Sequence, residues 1–139
     1  GQKHLLYIPN NGHGLKDTAR LVGGLTALHE QAVTGRPLPK FAWEFKQEKD
    51  HLQLRVRSET APQRVSAWTT SSTNRDFRKS EWIAAAADKD GDSFVCRLPL
   101  PASGCSALFG ELVFAGANDL PYYLSTNVRI VGDGKPNGD

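Results

Sequence analysis

The chain has no run of about 18 apolar residues, the length that a membrane-spanning helix needs. It also lacks any block of five or more Lys/Arg, and its formal net charge is only +2. The electrostatic footprint of a nucleic-acid binder is therefore missing. Cysteine is scarce. Cys96 and Cys105 are the two present, and nothing resembles C-x-x-C with partner histidines, so no zinc-type ligand set and no cofactor motif is implied. The pair flanks Leu-Pro-Leu-Pro-Ala-Ser-Gly, which reads as a connection between strands. It is either a disulfide across that connection in an exported protein or two buried thiols. A G-x-S-x-G nucleophile elbow does not occur anywhere in the 139 residues. No secretory signal is visible, and the expectation is that the chain begins within a fold.

What is present is globular in composition, 39% apolar and 23% charged. The length suits one domain on the usual prior. Leu5–Ile8 reads as a short buried strand. A Pro9-Asn10 turn follows, then His13 between Gly12 and Gly14. Residues 16–34 read as a helix, with Leu21, Leu25, Leu28 and Ala32 at helical spacing and Val22 beside them. Asp17 can cap its start, and Gly35 with Pro37 is a stop signal. Gly23 and Gly24 each cost about 1 kcal/mol relative to alanine in a helix. That helix therefore needs tertiary packing, or its glycines permit a close approach.

Arg36–Pro39 is a stiff linker, and beyond it the period changes from 3.6 to 2. Phe41, Trp43 and Phe45 alternate with polar residues, as do Leu52, Leu54 and Val56. Further candidates are 63–71, 81–87, 93–98, 105–115 and 122–131, making seven strands with turn signals between them. The pattern predicts a mainly β chain, an immunoglobulin/fibronectin-III-like β-sandwich. A four-residue strand buried on both faces belongs to a parallel sheet. Residues 1–36 are thus expected to be the C-terminal remnant of an α/β-hydrolase-like domain, 40–132 the sandwich and 133–139 a flexible tail.

His13 is the candidate catalytic residue. An imidazole on a loop after a strand and before a helix can take a proton from a nucleophile while a carboxylate holds its other nitrogen. The nucleophile and the acid precede the histidine in hydrolase chain order, so its partners are absent from the chain. Ser106 lacks strand–turn–helix context. His4, His29 and His51 read as structural or surface residues. Asp88-Lys-Asp-Gly-Asp92 resembles the start of a calcium loop, but the glycine and the final glutamate are out of place, and a hairpin turn explains it. In Asn74–Trp82, the residues Arg75, Arg78 and Trp82 are either binding anchors or an edge hairpin with local ion pairs and Trp82 in the core. Trp43, Trp68 and Trp82 raise carbohydrate stacking, with core packing the alternative.

Two segments carry a resemblance. Tyr-Ile-Pro-Asn-Asn-Gly-His-Gly-Leu (7–15) and Val-Ser-Ala-Trp-Thr-Thr-Ser-Ser-Thr-Asn-Arg-Asp-Phe-Arg (65–78) resemble the PhoPQ-activated pathogenicity-related family. Trp82 and Glu111 fit the same pattern. The resemblance implies a secreted or periplasmic, envelope-associated α/β-hydrolase with a C-terminal β domain, in which His13 matches the family's histidine.

Two functions follow. In the first, the chain is the C-terminal part of a serine hydrolase or peptidase-type protein, inactive alone, its β-sandwich an accessory or docking domain and its main partner a missing N-terminal hydrolase domain. In the second, the sandwich is a non-catalytic binding module for protein or glycan, with Arg75–Trp82 as its surface. No cofactor, nucleic acid or membrane span is expected. Association through an exposed apolar face of helix 16–34 is.

Overall fold

A computed structural model describes residues 3–133; of the predicted tail, all but Asp133 lies outside the described residues. Helix α1 (Thr18–Thr34) comes first, followed by β1 (Phe41–Gln47), β2 (His51–Ser58), β3 (Arg64–Ser72), β4 (Ile83–Ala86), β5 (Asp88–Asp90), β6 (Ser93–Pro99), β7 (Cys105–Phe114), β8 (Tyr122–Ser125) and β9 (Arg129–Gly132). One sheet has the order β1-β2-β6-β5. The other runs β4-β3-β7-β8, with β9 also on β7, and every pairing is antiparallel. The chain is a mainly β, two-sheet sandwich.

Alternation puts Leu52, Leu54 and Val56 of β2 and Cys96 of β6 on the inner face of one sheet. Val65, Ala67, Leu108, Leu112, Phe114 and Leu124 meet them from the other. These residues are the core.

The predicted strand at 81–87 shortens to β4, and at Ala87, whose N–H donates to Val65 O, the chain passes to the other sheet, where Asp88–Asp90, read from the sequence as part of a turn, forms β5. The 122–131 stretch yields β8 and β9, which pair with successive halves of β7. Between them Thr126 completes the ladder, its Oγ1 accepting from Gly110 N at 2.9 Å and its N–H donating to Gly110 O at 2.9 Å.

The caps of α1 are those the sequence predicts. Asp17 accepts from Arg20 N, and Gly35 takes the left-handed conformation (φ 72°) with its N–H on Gln31 O. The glycine pair resolves as a close approach at Gly23, where a Cβ would fall on the Pro121 carbonyl oxygen ahead of β8. The helix thus lies directly against the start of β8, and its Ala27 is buried.

Leu5–Ile8 is a correction. It forms a single bridge, Leu5 to Ser125, and its side chains are half-buried or exposed. A strand buried on both faces needs a packed layer over each, and here the segment has one bridge at one edge, to the last residue of β8. Val22, Leu25, Leu28 and Val33 of α1 stay in solvent.

Candidate functional site

β7 is buried along all ten residues because both of its faces are covered. The inner face meets the other sheet. The outer face carries Phe109 and Glu111 and lies under the segment that precedes α1.

Glu111 is 1% exposed, the one buried carboxylate among the described residues. Arg20 meets it in a two-point contact, Nε to Oε2 at 3.0 Å and Nη2 to Oε1 at 3.1 Å. The same guanidinium bonds Asp17 through Nη1 and lies over the rings of Tyr123 (4.6 Å) and Trp68 (5.5 Å). Burial by itself would lower the Arg20 pKa, but the hydrogen bonds and charges of Glu111 and Asp17 raise it. Burial pushes Asp17 up, and the Arg20 backbone and side-chain hydrogen bonds outweigh it and hold its carboxyl below the usual range. Arg20 and Asp17 are therefore both charged at neutral pH.

The His13 loop hangs from this anchor. Asp17 N–H donates to Asn11 Oδ1 at 3.1 Å, and Asn11 Nδ2 donates to Pro9 O at 2.8 Å. Asn10 sits at φ 57°, a left-handed conformation that asparagine tolerates better than most residues. Its amide copies a peptide group, donating to Trp82 O at 2.8 Å and accepting from Trp82 N at 2.7 Å. Tyr7 N–H donates to Ser125 Oγ. Between these fixed points His13 is exposed, and among the described residues nothing is hydrogen-bonded to it.

Trp82 packs edge-on against Phe109, 5.1 Å between centroids, and Phe109 also meets Tyr7 at 5.0 Å and Trp68 at 6.3 Å. A groove of about 550 Å³ runs between Pro9–Gly12 and Phe77–Trp82, with Tyr7 and Phe109 at its base. The segment leading to His13 and two of the predicted binding residues, Arg78 and Trp82, thus line one groove, joined by the Asn10–Trp82 pair, while His13 itself lies beyond its lining. Arg75 is exposed and is not among the groove's lining residues. Arg78 makes a two-point pair with Asp76 (2.9 and 2.6 Å), whose carboxyl it holds at about 2. Trp82 is half-buried, as is Trp68, while Trp43 is 39% exposed.

No disulfide joins Cys96 to Cys105. The physical reason is the strand assignment. Cys96 lies on β6 facing the core, whereas Cys105 on β7 of the other sheet alternates with the core-facing Leu108, Leu112 and Phe114 and so points away from it. Burial pushes the Cys96 thiol up to about 11, with Asp88 adding to it. Asp88–Asp92 is a hairpin, with Asp90 opposite Ser93 and Gly91 at φ 60°, and Asp90 pairs with Arg55 at 2.8 Å. Among the described residues no group of three His, Cys, Asp or Glu could hold a metal ion, and no helix is long and apolar enough to cross a membrane.

Asn10, Arg20 and the pairing of Glu111 were not legible as site features. Glu111 gave the one usable signal, since a lone carboxylate inside a ten-residue apolar strand requires a cation. Nothing in the sequence says which of 17 Lys/Arg supplies it.

The fold and site define a two-sheet protein whose outer face carries an anchored, histidine-bearing loop. The family model described as PhoPQ-activated pathogenicity-related protein matches residues 1–78, more than half of the chain, and the chain belongs to that family. The match runs from the His13 loop through α1 to the Arg78 loop. No curated protein and no solved structure matches it.

Proposed function

We propose that this chain carries the general base of a serine-hydrolase- or peptidase-type protein of the α/β-hydrolase kind, and that the base is His13. The observation that supports it is the presentation of the imidazole. His13 stands exposed on a loop fixed on both sides by side-chain amides, with no structural hydrogen bond of its own among the described residues. On this reading the imidazole takes the proton of a serine hydroxyl and returns it to the leaving group, and a carboxylate on the far ring nitrogen orients it. The serine and that carboxylate come from residues outside the 139. Residues 1–36 then close the hydrolase unit, and the apolar stripe Val22, Leu25, Leu28 and Val33 of α1 is a face that this unit covers. The sandwich from 40 to 132, of immunoglobulin-like kind, is its accessory domain, and the protein works in the envelope or outside the cell.

The test uses the protein in its complete reading frame with a p-nitrophenyl ester and a serine-directed fluorophosphonate probe. His13→Ala is expected to lower kcat by about 10²–10⁴-fold, the usual contribution of a general base, and to abolish probe labelling. Equal rates and labelling refute the reading.

A second reading, a binding module for protein or glycan, is favoured by one observation: Arg78 and Trp82 border the groove. Tryptophan emission of the protein, read against that of Trp82→Phe and titrated with a maltooligosaccharide and with an acidic peptide, tests it. No change with either refutes it.

A further inference from the structure

We infer that Asn10 is a positioning residue that sets where the His13 imidazole stands, and that the backbone of Trp82 on the β-sandwich is the reference point it uses. The inference rests on the general-base reading of His13 and adds to it a role for the sandwich: the second domain holds the catalytic loop in register.

A loop flanked by Gly12 and Gly14 has little intrinsic order. A Cβ on either glycine would meet nothing within 4 Å, so packing does not hold the loop at these points. Its order comes from its two ends. At the C-terminal end Asn11 bonds Asp17, Asp17 bonds Arg20, and Arg20 bonds Glu111 on β7. At the N-terminal end Tyr7 is held by Phe109 and Ser125, and beyond it, nearest to His13, Asn10 makes paired bonds to the N–H and C=O of Trp82. His13 is three residues from Asn10, a reach of roughly 10 Å of chain. Two parallel hydrogen bonds fix the amide plane as well as its distance, so they orient the turn that leads into His13. The 72-residue separation of Asn10 and Trp82 makes this a tertiary tie, outside local turn geometry. Trp82 is in turn fixed by Phe109 and by the Thr70–Glu81 hydrogen bond at 2.7 Å.

Asn10 has a second duty, the positive φ, and the test separates the two. Asn10→Gly keeps the backbone conformation and removes the clamp. Asn10→Asp keeps the acceptor for Trp82 N–H and loses the donor to Trp82 O. Both, with His13→Ala, are assayed in the protein's complete reading frame on a p-nitrophenyl ester. Amide hydrogen exchange is followed over residues 9–17. Asn10→Gly is expected to lower kcat by about 10²-fold, the scale of a 1 Å misplacement, with KM within threefold of the parent. Asn10→Asp is expected to fall between. Exchange over 9–17 speeds up while β2, β3 and β7 keep their protection. A large loss for His13→Ala with kcat unchanged for Asn10→Gly overturns the inference and leaves the general-base reading standing. So does a KM effect alone, or slow exchange of 9–17 in Asn10→Gly. Equal rates for His13→Ala and the parent overturn that reading and this inference with it.

Discussion

Replacing Arg20 by alanine strips from a carboxylate that is 1% exposed the one cation paired with it among the described residues. Breaking a buried pair from one side costs about 3–5 kcal/mol, because the remaining charge is left uncompensated. Two features of the site place the loss toward the lower end. The hydroxyls of Ser66 and Ser125 stand opposite Glu111 across β3 and β8, on the same face of the sheet, and can replace part of the lost hydrogen bonding. The Arg20 side chain is 15% exposed, so part of its own attraction is already screened. The loss of the contacts to Tyr123 and Trp68 works the other way, by roughly 0.5–1 kcal/mol each. About 3 kcal/mol is expected, which corresponds to a fall in Tm of roughly 10 °C for a chain of this size. Urea unfolding followed in parallel by tryptophan fluorescence and circular dichroism measures it, with coincident transitions as the two-state check. The double variant Arg20→Met with Glu111→Leu removes both charges and is expected to recover most of the loss. A single-variant loss below about 1 kcal/mol, the worth of an exposed pair, would refute the claim that this pair anchors the segment.

Further outcomes can be checked. Gly23→Ala gains about 1 kcal/mol of helix propensity, yet its Cβ falls on the Pro121 carbonyl, so it is expected to destabilise. Gly24→Ala meets only the movable Leu6 Cδ2 at 3.1 Å and is expected to be near neutral or stabilising, and thermal unfolding of the two ranks them. The Asp76 carboxyl, held at about 2 by Arg78, is depressed in the folded state. The stabilisation it carries is therefore full above the ordinary aspartate pKa near 4 and is lost as pH falls through about 2. Carboxyl NMR should show that midpoint, and Arg78→Ala should raise it part of the way toward the ordinary range, because the residue-78 N–H still donates to Asp76 Oδ1. Cys96, its thiol pushed up to about 11, should resist iodoacetamide at pH 8 in the folded protein and label on unfolding; peptide mass spectrometry reads this.

Much of the architecture follows from local signals. Alternating Leu52, Leu54 and Val56 gave a strand with one buried face because a strand repeats every two residues. Asp17 and Gly35 bounded the helix because an end needs a donor partner and a left-handed stop. Periodicity could not show where a continuous pattern changes partner. Residues 122–131 alternate without a break, yet they form β8 and β9 on successive halves of β7, and β5, one residue beyond β4, belongs to the other sheet. Leu5–Ile8 is apolar enough for a strand, but pairing is decided by which edge lies beside it, and only the end of β8 does.

The site divides in the same way. The Pro-Asn-Asn-Gly-His-Gly stretch marks His13 as a presented side chain by its own composition, since glycine and asparagine make loops wherever they are placed. The Arg75–Trp82 stretch likewise declares charge and aromatic surface. By itself the sequence determined the strands, the capped helix and the exposed histidine loop, all set by interactions within a few residues. Only the tertiary structure decided that Arg20 meets Glu111 across 91 residues and that Asn10 meets Trp82 across 72. A buried carboxylate demands some cation and a turn amide demands some peptide, but which ones they find depends on how the sheets and the helix stack.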